Sequence, residues 1–165
     1  MDEQGDHKPD SLEAAVARAS VIDLPGDASF QHAAEVAADY LAELTGRSAR
    51  ALADAFLDGT RQGATPVTRG VALPHLRLPE VNTPLMVMVR SREGIAVETR
   101  GSLEGVVSHA VFFLVSAERD PMQHLQLLAE LARRVEDEHF IERWCAAEGE
   151  QQLKAIVLRR KAEGG

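Results

Sequence analysis

Gly70-Val71-Ala72-Leu73-Pro74-His75-Leu76-Arg77 sets a histidine directly after a proline at the end of a short apolar run. Val71 to Leu73 reads as a strand. Proline has no backbone N–H to give a sheet and disfavours helix in the residue before it, so the chain is expected to leave the sheet in extended form here. His75 is then presented at the sheet rim, where a ring nitrogen has room to meet a partner. The plain alternative is a surface histidine that titrates and does nothing else.

Further runs rich in β-branched or aromatic residues follow at Leu85 to Arg90, Ile95 to Val97 and Ala110 to Ala117, separated by Pro79, Pro84 and Gly94. Ala110-Val111-Phe112-Phe113-Leu114-Val115 is apolar on both faces, which predicts a central strand covered by helices on each side. Upstream, over residues 28–44, Ala33, Val36, Ala37, Tyr40, Leu41 and Leu44 recur at helical spacing, with Gly46 as a stop. A second helix is expected from about Ser48, its N-cap, to Leu57, with Gly59 near its end and a polar loop from there to Gly70.

Asp120 to Asp137 carries the strongest helix signal: Asp120 as N-cap, Pro121 in the first position, Gln123 completing a capping box, and a stripe through Leu125, Leu128, Leu131, Ala132 and Val135. Two shorter helices are expected near Glu138 to Ala147 and Gly149 to Arg160. Helices before, strands in the middle and helices after, with no repeated unit, predict an α/β fold: a single domain with a mixed β-sheet flanked by helices on both faces.

The 165 residues, 45% of them hydrophobic, suffice for one sizeable core. Residues 1–9 are polar and charged and are expected to form a disordered leader or linker, residues 10–161 the domain, and residues 162–165 a disordered tail. With 18 basic and 26 acidic side chains the net charge is −8, which argues against nucleic acid and for a basic protein surface as partner. The one cysteine, Cys145, builds neither a disulfide framework nor a cysteine metal cluster within the chain and points to a reducing compartment. No stretch nears the roughly 20 apolar residues of a bilayer span, and the start is not a signal peptide, so a cytoplasmic protein without membrane insertion is expected.

Candidate chemistry gathers around two histidines. His124 falls in the first turn of the strongest helix, where backbone N–H groups and the helix dipole favour an anion. It fits equally as a gap filler beside Leu125. Thr65, Thr68, Arg61, Arg69 and Arg77 lie close to His75 in sequence and supply hydroxyl and guanidinium donors suited to phosphoryl oxygens, or else form ordinary solvated surface. His7, His32, His109 and His139 lack supporting context. No Gly-rich nucleotide loop, dinucleotide fingerprint, nucleophile elbow or paired-histidine zinc helix is present, so any phosphoryl chemistry is expected to be a relay between proteins.

Gly70-Val71-Ala72-Leu73-Pro74-His75, Gly94-Ile95, the Phe112-Phe113-Leu114-Val115 strand and His124-Leu125 at a helix start together resemble the enzyme IIA domains of the fructose, mannitol and nitrogen-regulatory branch of the sugar phosphotransferase system, over about residues 10 to 160. The resemblance implies that His75 accepts a phosphoryl group from the histidine phosphocarrier protein or its nitrogen-branch counterpart. His75 then passes it to a IIB domain or holds it as a signal, with His124 stabilising the phosphorylated form, and neither metal nor cofactor is required. The loop from Gly59 to Arg69 departs from the family pattern. Gly59 stands where an arginine is expected, and Pro66, Val67 and Thr68 replace flexible glycines. That departure suits a second reading, a regulatory domain of a membrane transporter such as a cation/proton antiporter or amino-acid permease, sensing an anion or small ligand in the same pocket. A third reading is an interaction module without chemistry. The sequence leaves the oligomeric state open.

Overall fold

The computed structural model describes residues 11–159; the expected leader (1–9) and tail (162–165) lie outside the described residues. The elements in chain order are α1 (Leu12–Arg18), β1 (Ser20–Asp23), α2 (Phe30–Thr45), α3 (Ala49–Arg61), β2 (Val67–Thr68), β3 (Val71–Ala72), β4 (His75–Leu78), β5 (Leu85–Thr99), β6 (Ser102–Ala117), α4 (Pro121–Val135), α5 (Phe140–Ala146) and α6 (Glu150–Leu158). The six strands form one mixed sheet in the order β1-β5-β6-β3-β2, with β4 also paired to β6. β5 and β6 run antiparallel, β1 runs parallel to β5, and β3 and β4 both run parallel to β6.

Alternation along β6 explains the two-sided core. Val111, Phe113 and Val115 join the cluster under α2 and α3, where Phe113 meets Phe30 and Phe56 at ring separations of 5.9 and 5.0 Å. Ala110, Phe112 and Leu114 join the opposite cluster, built with α1, α4, α5 and α6, where Phe112 packs edge-on against Trp144 at 5.4 Å. Side chains two apart in a strand share a face, so a strand buried on both sides reads as an unbroken apolar run. The central strand expected from sequence is this one.

Several expectations are corrected. α1 and β1 precede every element read from the sequence; Leu12, Ala15 and Val16 bury one side of a helix only seven residues long, too short for a periodic signal. α2 starts at Phe30 behind the Ser29 cap and buries Phe30, Ala33, Ala34, Ala37, Ala38 and Leu41, while Tyr40 and Leu44 face outward. α3 continues through Gly59 to Arg61, so the expected loop begins later. The short strands at 85–90 and 95–97 are one strand, interrupted by an irregularity between Arg90 and Ile95, and β6 begins at Ser102 rather than Ala110. Gly94 and Gly105 allow that long twisted hairpin: both have φ near +100°, and a Cβ on Gly94 would lie 2.5 Å from Val107.

α4 buries Gln123, His124, Leu127, Leu131 and Val135, so its inward stripe is displaced from the expected one and Leu125 is exposed. The capping box is half formed: Asp120 Oδ1 accepts from the Gln123 N–H, but the Asp120 N–H donates to the Ala117 carbonyl. No helix among the described residues is long and apolar enough to cross a membrane.

Candidate functional site

His75 does not stand beyond the end of a strand, as the sequence suggested, but opens a second one. Pro74 interrupts the hydrogen bonding of β3, yet its carbonyl accepts from the Leu114 N–H, so the chain stays on β6 and resumes pairing with His75 opposite Leu114. The bend turns the imidazole back on its own backbone: His75 Nδ1 lies 2.8 Å from the Leu73 carbonyl oxygen. A carbonyl only accepts, so Nδ1 carries the proton and Nε2 keeps the free lone pair of the neutral ring. The ring is half-buried.

α4 begins where β6 ends, and its inward stripe carries His124 onto the same face of the sheet. The two ring centroids lie 5.2 Å apart with planes inclined by 50°. His124 is only 6% exposed, and its Nδ1 is hydrogen-bonded to the hydroxyl of fully buried Ser116. Burial, followed by the charges of His75 and Arg77, pushes the His124 imidazole down to about 4 from its ordinary 6.5, so it is neutral at physiological pH.

Arg77 is two residues beyond His75 on β4, pairs in register with Ser116, and is exposed. Its charge is felt at His124, and its register opposite Ser116 puts it beside the histidine pair. The helix start offers an anion less than expected. Pro121 has no N–H, Asp120 Oδ1 takes the Gln123 N–H, and the Asp120 carbonyl takes that of His124. What remains is the dipole and the Met122 N–H.

The other residues read from the sequence are dispersed. Thr65 is buried, and its hydroxyl is bonded to that of Thr60 at 2.6 Å; it precedes Pro66, whose carbonyl receives the Leu73 N–H, and so flanks the bend before His75. Thr68 and Arg69 stand at the far tip of the β2–β3 hairpin. Thr68 pairs with Val71, which lies opposite Ala110, four residues along β6 from the partner of His75, or roughly 13 Å. Arg69 faces Glu136, Asp137, Glu138 and His139 beyond the C-terminal end of α4, about 18 Å of helix away from His124. Arg61 ends α3, meets Asp58 at 3.7 Å, and borders a hollow with Ser29, Phe30, Ala96 and Glu98.

Ser116 was missed by the sequence reading. A signal existed, because it is the one hydroxyl in the run Ala110 to Ala117, and a polar group in a strand buried on both faces needs a partner. Of the three arginines near His75 in sequence, Arg77 is the one that alternation along β4 puts on the His75 face.

Two imidazoles on one sheet face, one with a free Nε2 and one neutral beside it, are suited to taking up a tetrahedral anion without metal ligands. Among the described residues, no group of three or more His, Cys, Asp or Glu side chains is arranged to hold a metal ion. The model of the family "Phosphoenolpyruvate-dependent sugar phosphotransferase system, EIIA 2" matches residues 21–159. The chain belongs to this family. As a type-2 EIIA domain it is a phosphocarrier or regulatory component of the phosphotransferase system. A nitrogen regulatory protein from Bradyrhizobium diazoefficiens is 31% identical over 116 residues, covering 70% of this chain and 74% of that protein. The fold matches the crystal structure of nitrogen regulatory protein IIA-Ntr from Neisseria meningitidis with a TM-score of 0.74 at 22% identity, covering 86% of this EIIA domain and 94% of that chain. It also matches a complex of enzyme IIAMtl and phosphorylated enzyme IIBMtl from Escherichia coli, with a TM-score of 0.65 at 18% identity over 86% and 95% of the two chains.

Proposed function

We propose that this EIIA domain carries a phosphoryl group on Nε2 of His75. The observation that carries the reading is the bond from His75 Nδ1–H to the Leu73 carbonyl, which leaves Nε2 as the free nucleophile 5.2 Å, ring to ring, from a second imidazole. In the transfer, the Nε2 lone pair forms the new N–P bond as the N–P bond of the donor's phosphohistidine breaks. The donor's ring leaves with that electron pair, and the proton on His75 Nδ1 stays in place. The protein supplies position and charge neutralisation rather than covalent chemistry.

A phosphoryl group adds roughly −1.5 to −2 charges, by analogy with other phosphorylated side chains. Arg77 and the start of α4 offset it, and neutral His124 offers a hydrogen bond without competing for the group. Thr65 flanks the bend. The donor is a histidine phosphocarrier protein or its nitrogen-branch counterpart, and the acceptor a IIB domain. Exposed Met122 and Leu125 on either side of His124, 63% and 60% accessible, give such partners an apolar rim to cover. No observation favours the transporter-sensor reading over this one.

The test is incubation of the purified domain with a phosphorylated histidine carrier. Acid-labile, base-stable label on the wild type and none on His75→Ala is the expected outcome. Label that persists in His75→Ala removes His75 from the role.

A further inference from the structure

Ser116 is wholly buried on β6, on the face it shares with Phe112 and Leu114, and the hydrogen bond its hydroxyl makes is to His124 Nδ1. That contact has two possible polarities. If Nδ1–H donated to Oγ, the serine proton would need another acceptor inside a packed strand. If Oγ–H donates to Nδ1, the serine proton is satisfied, and the imidazole proton must reside on Nε2. Buried hydroxyl groups find partners for their protons, which selects the second arrangement. It also leaves His124 with an N–H on the edge of the ring remote from Ser116, in a ring whose neighbour at 5.2 Å is His75.

We infer that Ser116 is a positioning residue: its hydroxyl donates to His124 Nδ1 and fixes His124 as the Nε2–H tautomer, so that this ring donates a hydrogen bond to the phosphoryl group on His75. The last step rests on the carrier reading proposed above; the tautomer does not. The opposite tautomer would turn a lone pair toward phosphoryl oxygens and repel them. Ser116 acts only through His124, since its position inside the strand keeps it from the phosphoryl group itself.

The experiment uses the full chain with 15N-labelled histidine. Long-range proton–nitrogen NMR between pH 6 and 8 reads the tautomer of each ring without any phosphorylation. The wild type is expected to show His124 as Nε2–H; Ser116→Ala is expected to show mixed tautomers, and Ser116→Thr to restore the wild-type pattern. In the phosphorylated protein, Ser116→Ala is expected to lose label about three to ten times faster than wild type, the range for one hydrogen bond. The double variant with His124→Gln is expected to be no worse than His124→Gln alone. A wild-type His124 protonated on Nδ1, or a Ser116→Ala spectrum identical to wild type, overturns the inference. So does an unchanged phosphoryl lifetime in Ser116→Ala. Should His75 take no label at all, the carrier reading falls, and the tautomer spectra alone decide for or against Ser116.

Discussion

His75 and His124 come within 5.2 Å of each other because both depend on one four-residue stretch of β6. His75 leads the strand that pairs with Leu114–Ala117, and His124 is hydrogen-bonded to Ser116 in the middle of that stretch. β6 ends at Ala117, and the Asp120 N–H returns to the Ala117 carbonyl, which ties the start of α4 to the same place. A change of register in β6 would therefore separate the rings as well as expose the core.

The neutrality of His124 gives stability a dependence on pH. Burial first, then His75 and Arg77, hold the folded ring at about 4, against roughly 6.5 in an unfolded chain. At pH 7 the ring is neutral in both states and contributes nothing. As pH falls below about 6.5 the unfolded chain takes up the proton first, so folding loses stability until about pH 4, where the penalty levels off. The expected loss is on the order of 1–2 kcal/mol, less than full conversion of the shift, because the site lies near the rim where solvent screens. Urea unfolding at pH 7.5 and pH 5 should show the wild type losing that much more than His124→Gln; equal losses would mean that the ring is not held neutral by its surroundings.

A second buried group secures the opposite part of the fold. Arg90, 2% exposed, donates from Nε and Nη2 along one guanidinium edge to the two carboxylate oxygens of Asp23 on β1, at 3.1 and 2.6 Å, and from Nη1 to the Trp144 and Ala147 carbonyls at the end of α5. The guanidinium beside it holds the Asp23 carboxyl below the usual range. Arg90→Met should cost about 2–4 kcal/mol, since it removes the buried guanidinium donors to the Trp144 and Ala147 carbonyls, leaving the latter only Arg92, and takes away the two hydrogen bonds to Asp23. Asp23→Asn should cost less and remove part of the acid sensitivity, because the Asp23 contribution is present above about pH 4 and disappears as pH falls through its depressed pKa. Denaturant midpoints at pH 7 and pH 3.5 separate the two effects. A midpoint for Arg90→Met equal to wild type would show that the clamp does not stabilise the fold.

The central strand and the helix that carries His124 were legible in the sequence because long elements average over many side chains. Ala110 to Val115 announces burial on two faces, and Asp120-Pro121 announces a helix start whatever lies beside it. The orientation of α4 was not legible. Leu125 and Leu128 outweigh His124 on any hydropathy count, yet Ser116 gives His124 a polar partner inside, and Leu125 turns outward. Nor could proximity in sequence locate the arginines. Arg69 is six residues from His75, but the β2–β3 hairpin carries it to the far end of α4, whereas Arg77, two residues on, stays on the face of the histidines.

That hairpin makes its own prediction. Arg69 has φ of 49° and Gly70 of 84°, the pair of positive values that a two-residue turn between Thr68 and Val71 requires. Asparagine tolerates this conformation better than arginine, so Arg69→Asn should raise stability by about 0.5–1 kcal/mol. Label on His75 should be unchanged, because the side chain faces the acidic end of α4. A clear loss of label would place Arg69 among the phosphoryl-binding groups after all.

Arg77 is the cation whose removal should be felt at the histidines. Its charge lowers the pKa of His124, so Arg77→Gln should move the His124 titration upward, which NMR can follow on the unphosphorylated protein. In the phosphorylated protein the same change removes a positive charge from beside the phosphoryl group, and because Arg77 is exposed the effect should be modest, about two- to fivefold in phosphoryl lifetime. Salt distinguishes this from a loss of structure: screening weakens the wild-type advantage, so the two lifetimes should converge at about 1 M salt, where the Debye length falls to about 3 Å. A His124 titration unmoved by Arg77→Gln would show that the guanidinium swings away into solvent, and would leave the phosphoryl group to the helix start and the two imidazoles alone.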